Sequence, residues 1–183
     1  MRIIAGRLRS RSLQAPKGRL TRPTSDRVRE ALFNLLESRL DLEDADVLDL
    51  FAGTGALGLE ALSRGAIAVT LVESNAAVLK IARQNAASLG VDEAVDSLRS
   101  DAVAFLERYS GPAFDLILAD PPYTLDALRR LPDLACPHLK PHGLFALEHD
   151  VRHDFTGDPR LVTSRTYGRT VLSLFDPGEP KTT

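Results

Sequence analysis

Apolar residues recur at helical spacing at Val28, Leu32, Leu35, Leu36 and Leu40, which predicts a helix running to about Leu40. It opens at the turn Arg22-Pro23-Thr24-Ser25-Asp26, where Thr24 or Ser25 can cap and Asp26 suits the positive end of the helix dipole. Beyond residue 44 the pattern changes. Short, nearly continuous apolar runs at 47–50, 66–72 and 114–119 read as buried parallel strands, with a weaker strand at 94–99. Helical stretches separate them at 56–64, at 75–89 before the stop at Gly90, and at 101–109. This alternation predicts an α/β, doubly wound, Rossmann-like sheet. The C-terminal end departs from it, with strands at 143–148, 161–165 and 170–175. The last two have only Tyr167-Gly168 and a few neighbours between them, too little for a crossover helix, so they must pair antiparallel.

The first twenty residues carry short β-like pieces at 2–5 and 12–14 around Gly6, and read as a basic hairpin or extended arm. At 183 residues one domain is the simplest organisation: an arm at 1–23, a main domain at 24–176 and a frayed polar tail at 177–183. Charge separates the arm from the body. Residues 1–30 hold nine Lys or Arg against Asp26 and Glu30, a net of +7, while the rest holds 14 basic and 23 acidic side chains, a net of −9. A basic arm on an acidic body points to a polyanion met by the N-terminus. Arginine suits RNA there, because guanidinium grips phosphate bidentately and stacks on bases. Arg27 and Arg29 read either as surface charges or as contacts to RNA or to a cofactor carboxylate. The lone Cys136 reads as a small core residue and excludes an intrachain disulfide. With no apolar run of membrane-spanning length, a cytoplasmic protein is expected.

The chemistry gathers at strand ends. The glycine-rich stretch Asp49-Leu50-Phe51-Ala52-Gly53-Thr54-Gly55-Ala56-Leu57-Gly58 joins a strand to a helix, the form of a cofactor cradle. Gly53 and Gly55 would let backbone approach a ligand closely. Glu73 follows 20 residues after Gly53, where a ribose-binding acid is expected. That acid suits a nicotinamide dinucleotide and S-adenosylmethionine alike, so the loop does not choose between them. In a doubly wound sheet Asp49, Glu73, Asp101 and Asp120 all arrive at one edge. His149 and His153 stand four apart, but without an obvious third ligand they read as surface histidines, and no metal is expected.

Asp120-Pro121-Pro122-Tyr123 directly follows the fourth strand. Neither proline has an amide proton, so Asp120 and the Pro121 carbonyl can offer acceptors to an exocyclic amine. Tyr123 can stack on a base taken out of its stack. Together these features resemble the S-adenosylmethionine-dependent methyltransferases of the seven-stranded class, in which [Asp/Asn]-Pro-Pro-[Tyr/Phe] marks methylation of an amino nitrogen. The segments Met1-Arg2-Ile3-Ile4-Ala5-Gly6, Arg22-Pro23-Thr24-Ser25-Asp26-Arg27-Val28-Arg29-Glu30-Ala31-Leu32-Phe33-Asn34 and Asp49 to Ala61 sharpen this. They resemble the RsmD family of bacterial small-subunit rRNA guanine-N2 methyltransferases, over nearly the whole chain.

The resemblance implies methyl transfer from S-adenosylmethionine to the N2 amine of a guanine in 16S rRNA, within a small-subunit particle, by a monomeric enzyme needing no metal. It implies that Glu73 holds the ribose, that Asp101 and Ala102 hold the adenine, and that Asp49, Gly53 and Gly55 complete the cofactor site. Asp120, Pro121 and Tyr123 would act on the target base, and Arg2, Arg7, Arg9, Arg11, Arg22 and Arg27 would contact RNA. Glu73 is followed by Ser74-Asn75, where many family members carry a further acid, and residues 151–160 match no usable pattern. Three rival readings stand beside it. A nicotinamide-dependent oxidoreductase would explain the glycine loop alone. A non-catalytic RNA-binding module would explain the arm alone. DNA adenine-N6 or protein glutamine-N5 transfer would use related motifs.

Overall fold

The computed structural model describes residues 1–16 and 25–178. The expected contact at Arg22, the rest of the arm to residue 23 and the tail beyond 178 lie outside the described residues. The helix α1 (Asp26–Glu37) is capped by Ser25, whose side chain accepts from the Val28 N–H. It ends three residues short of Leu40, where the Ser38 amide turns back to the Leu36 carbonyl, yet Leu40 still packs against the core.

The sheet comprises β1 (Asp46–Leu50), β2 (Ala68–Glu73), β3 (Val95–Arg99), β4 (Phe114–Ala119), β5 (Leu139–Asp150), β6 (Leu161–Tyr167) and β7 (Thr170–Phe175), in the order β3-β2-β1-β4-β5-β7-β6. The helices α2 (Ala56–Ser63), α3 (Ala76–Leu89), α4 (Ala102–Arg108) and α5 (Leu131–Ala135) join the strands. Strands β1 to β5 run parallel, and β7 is antiparallel to both neighbours. The fold is therefore the expected doubly wound, mostly parallel seven-stranded sheet with an antiparallel C-terminal pair.

Burial explains which strands were plain in the sequence. Central β1 and β4 are covered on both faces, so their residues are apolar apart from Asp46, Asp49 and Asp115. Edge strand β3 has no fully buried residue, which is why its pattern is weak. Strand β5 begins four residues earlier than the pattern suggested, because Lys140, Pro141 and His142 hide its start. The pairing with β4 slips there, between Phe114 and Leu116.

The N-terminal segment forms a hairpin-like turn, with an antiparallel bridge between Arg2 and Ser12. It does not stand away from the body. Ile3 and Leu13 are buried in the same core cluster as Leu32, Leu36 and Leu59. The Glu60 carboxylate on α2 accepts from the amides of Ile4 (2.7 Å) and Ala5 (3.0 Å). The turn presses so closely on α2 that a Cβ at Gly6 would lie 1.8 Å from the Ser63 carbonyl oxygen. Arg29 is also structural. It is fully buried, donates to the Arg2 carbonyl (2.6 Å) and Asp26 (3.0 Å), and faces Glu60 at 3.8 Å. That geometry rules out Arg29 as a surface charge and gives it partners inside the fold.

Candidate active site

The register of the parallel strands sets their carboxyl ends level. Leu50 pairs with Val72 on one side and Ala119 on the other, and Ala119 pairs with Leu147. The residues that follow therefore surround one crevice of about 1040 Å³, lined among others by Asp49, Glu73, Asp101, Asp120 and Glu148. That volume suits a nucleoside-sized ligand with space left for a second group.

The first wall is the glycine loop. Phe51 takes a left-handed conformation (φ 56°), an arrangement that costs a bulky residue energy and that recurs at functional sites. Gly53 and Gly55 are left-handed too (φ 58° and 79°). Their surroundings differ. Gly53 lines the crevice, and a Cβ there would meet nothing closer than 3.8 Å. Gly55 does not line it: its Cβ would come within 3.2 Å of Leu71 and 3.4 Å of Ala82. Its lack of a side chain serves the turn and the packing behind the loop. Gly58 likewise brings α2 onto β2, since a Cβ would lie 2.7 Å from both Val69 and Leu71. Ala56 and Leu57, in the first turn of α2, line the crevice where helix amides have no intrahelical partner.

Asp49 is almost fully buried and accepts from the Gly58 amide at 2.8 Å. Burial, reinforced by the charges of Asp120 and Glu73 and opposed by that amide, pushes its carboxyl up to about 7. The folded value thus lies above the unfolded one. Below about pH 4 both states are protonated and the group costs nothing; the penalty grows between about pH 4 and pH 7 and is constant above that. Asp49→Asn keeps an acceptor for Gly58 without the charge. In ligand-free protein it is expected to raise stability by about 2–4 kcal/mol at pH 8, with the gain vanishing near pH 4; urea titrations at both pH values test this.

Glu73 closes the loop from the neighbouring strand. One carboxylate oxygen accepts from the Gly53 amide (3.0 Å) and the other from the Asn75 amide (2.7 Å). Asn75 caps α3 with its side chain. Asp101 caps α4 by accepting from Ala104 (2.9 Å), and Ala102 beside it is buried at the crevice wall.

The opposite wall carries Asp120 to Tyr123. Pro121 is buried and Asp120 half-buried. The Tyr123 hydroxyl donates to Glu148 (3.2 Å) and lies 3.1 Å from the Thr170 hydroxyl. Its phenol is pushed up to about 12, first by burial, with Glu148 and Asp120 also raising it against the Thr170 hydrogen bond. It is therefore a neutral donor at physiological pH. Sequence reasoning missed Glu148 and Thr170, because Glu148 sits inside an otherwise apolar strand and Thr170 begins another. A carboxylate at the carboxyl end of a parallel strand was the available signal. Sequence reasoning also missed Asn85, fully buried, which donates to the Thr54 carbonyl (3.0 Å) and holds both backbone groups of Gln14. One amide thus ties the hairpin to the glycine loop.

The arginines are not gathered in one place. Of the six expected to contact RNA, the five among the described residues, Arg2, Arg7, Arg9, Arg11 and Arg27, are exposed. Arg27 lines the crevice, and Arg2 pairs with Asp26 at the start of α1 (3.3 Å). Arg7 donates to the Leu62 carbonyl and Arg11 to the Ser88 carbonyl, near the C-terminal ends of α2 and α3 and so at the edge of the sheet away from the crevice. Arg9 borders a separate small groove with Glu30 and Glu37. His149 corrects the surface reading: it is buried in β5, with one ring nitrogen on the Asp150 carbonyl and the other on Ser173. Burial lowers its pKa. Among the described residues no cluster of three metal-ligating side chains occurs, and no helix is long and apolar enough to cross a membrane.

Comparison with known proteins matches this architecture to a group of related chains. The Bacillus subtilis (strain 168) protein named "Putative rRNA methyltransferase YlbH" is 34% identical, over 96% of this chain and 98% of its own. The Escherichia coli (strain K12) "Ribosomal RNA small subunit methyltransferase D" is 45% identical over 67% of this chain, a match that spans 60% of that protein's length. The solved structure of the "Putative methyltransferase yhhF" from Escherichia coli superposes with a TM-score of 0.82 at 36% identity, covering 96% of each chain. The model of the family described as Conserved hypothetical protein 95 matches residues 1–176. With that match across almost the entire chain, the protein belongs to this family, that of the RsmD proteins.

Proposed function

We propose that this protein is an S-adenosylmethionine-dependent rRNA methyltransferase that methylates the N2 amine of a guanine in 16S rRNA. One observation carries the reading: the glycine loop with Glu73 and the Asp120-Pro121 acceptors face each other across a single crevice. The relatives' names support rRNA as the substrate.

The residues present fit the methyl donor. The crevice is large enough, Gly53 leaves backbone bare, and the Glu73 carboxylate stands at the loop to accept from ribose hydroxyls. Asp101 and Ala102 line the same crevice, and in this reading they hold the adenine. Bound there, S-adenosylmethionine supplies a methyl on a sulfonium, which leaves as the neutral thioether. The chain's own task is alignment. The guanine N2 lone pair is delocalised into the ring. Asp120 and the Pro121 carbonyl accept from its N–H groups, which favours a pyramidal nitrogen and stabilises the positive charge that develops as the N–C bond forms. The amine then gives up one proton, for which the Asp120 carboxylate is the near acceptor before solvent. Tyr123, with its hydroxyl anchored to Glu148 and Thr170, offers its ring for stacking.

Purified protein given tritiated S-adenosylmethionine and small-subunit particles from cells lacking it is expected to yield labelled N2-methylguanosine. Label in another nucleoside, or in protein alone, would refute the reading. Glu73→Ala is expected to weaken S-adenosylmethionine binding at least tenfold in calorimetry, the scale of one charge-assisted hydrogen-bond pair. Unchanged affinity would remove Glu73 from the ribose site.

Of the arginines expected to contact RNA, Arg27, which lines the crevice, and Arg2, which pairs with Asp26 at the start of α1, are proposed as the principal contacts. Replacing both with serine is expected to reduce the dependence of log affinity on log salt by about 0.7–0.9 per lost contact. The same change at Arg7 and Arg11 is expected to reduce it less. An equal reduction from the two pairs would place the RNA path over the far edge as well.

A further inference from the structure

The Asp120-Pro121 acceptors explain how an amine is held but not why the amine belongs to guanine. Adenine also carries an exocyclic amine with two N–H donors. The purines differ at the neighbouring ring nitrogen: guanine N1 bears a hydrogen, whereas adenine N1 is a bare acceptor. A group that accepts at that point would select guanine.

Glu148 meets the requirement by position. It lies one residue beyond Leu147, which pairs with Ala119, so it stands level with Asp120 on the adjacent strand. Its side chain lines the crevice while the residue is only 7% exposed, and carboxylates are rarely buried so deeply without a specific partner or task. Tyr123 fixes its orientation by donating to Oε1, and Thr170 fixes Tyr123 in turn. A carboxylate oxygen has capacity for more than one donor, so the Tyr123 contact and a base contact are compatible.

We infer that Glu148 is the residue that selects guanine, its carboxylate accepting from guanine N1–H while Asp120 and the Pro121 carbonyl accept from the N2 amine. This rests on the N2 reading above. Two carboxylates facing the crevice then meet the donor edge of guanine, N1–H and N2–H together. An adenine turned to present its amine to Asp120 would set the N1 lone pair against the Glu148 carboxylate, which repels it.

2-Aminopurine probes this contact. It keeps the 2-amine but carries a lone pair at N1 and lacks O6, so the comparison between parent and Glu148 variant assigns the preference to N1. Particles are reconstituted with guanine or 2-aminopurine at the position where the parent protein's product is mapped, and single-turnover transfer is measured at saturating S-adenosylmethionine. The parent protein is expected to favour guanine by at least tenfold, the lower range for losing one specific base contact. In Glu148→Gln the amide can turn its NH2 toward N1, so that preference is expected to fall severalfold or more. Calorimetry with S-adenosylmethionine checks that the variant is folded. A parent preference below twofold, or an undiminished preference in a variant that binds the donor, would overturn the assignment. If that variant proves unfolded, the same comparison is made in Glu148→Ala, where the preference is likewise expected to fall. A parent product other than N2-methylguanosine would instead mark failure of the N2 reading and take this inference with it.

Discussion

Asp120→Ala is expected to lower the rate of methyl transfer by about a hundredfold or more while changing S-adenosylmethionine affinity by no more than a few-fold. The asymmetry follows from where Asp120 stands. It lies on the wall formed by β4, opposite the glycine loop and Glu73, so its carboxylate addresses the acceptor amine. Removing one preorganised contact to developing charge costs roughly 10²–10³ in rate. Asp120→Asn keeps an oxygen acceptor but loses the charge, and should fall between the two. The Asp49 carboxyl should respond as well: the Asp120 charge helps to raise it, so its titration in Asp120→Ala is expected to move down from about 7. Single-turnover rates at saturating donor, with calorimetry for the donor, separate the two effects. Transfer at the parent rate in Asp120→Ala would mean that the amine is held elsewhere.

The second large effect concerns stability. Glu60→Ala is expected to cost about 3–5 kcal/mol, the range for removing one partner of a buried ion pair. Glu60 has no exposed surface, and its carboxylate accepts from Ile4, Ala5 and the Arg64 side chain (2.8 Å). It also faces Arg29, itself fully buried. The truncation therefore removes a buried counter-charge from Arg29 and Arg64 and strands two backbone amides at once. The hairpin should detach first, since Glu60 and Ser63 tie it to α2, so limited proteolysis within residues 1–16 should accelerate together with the fall in urea midpoint. Glu60→Gln retains one acceptor and should lose less. A loss under 1 kcal/mol with unchanged proteolysis would show that the hairpin is held by Ile3 and Leu13 alone.

These two residues mark what could and could not be read in the chain. Periodicity exposed the central strands because both faces of β1 and β4 are covered, so their apolar runs are broken only by Asp46, Asp49 and Asp115. The start of α2 and both bounds of β4 were legible to the residue, because glycines and a proline turn punctuate them. The stretch from Leu128 to Ala135 was not: its buried Leu128, Leu131 and Ala135 belong to short helical turns broken up around Pro132. In the site, Glu73 and Asp120 stood out because each follows an apolar strand directly. Glu148 did not, because β5 continues two residues past it. Glu60 was hidden for another reason. An acid in the middle of a helix ordinarily reads as a solvent-facing charge, and nothing local shows that a segment 55 residues earlier covers it. The basic composition of the first thirty residues likewise concealed that Arg29 is buried against Asp26 and Glu60 at the crevice wall, while Arg7 and Arg11 lie away from the crevice.

The central claim is that the crevice delivers a methyl group to a guanine amine of 16S rRNA. Its most direct test is nucleoside analysis of 16S rRNA from cells lacking the protein, complemented with the parent chain or with Asp120→Ala. The account predicts that N2-methylguanosine falls by one residue per rRNA on deletion, returns with the parent chain and stays absent with Asp120→Ala. Unchanged N2-methylguanosine, or loss of a different modified nucleoside, would contradict it.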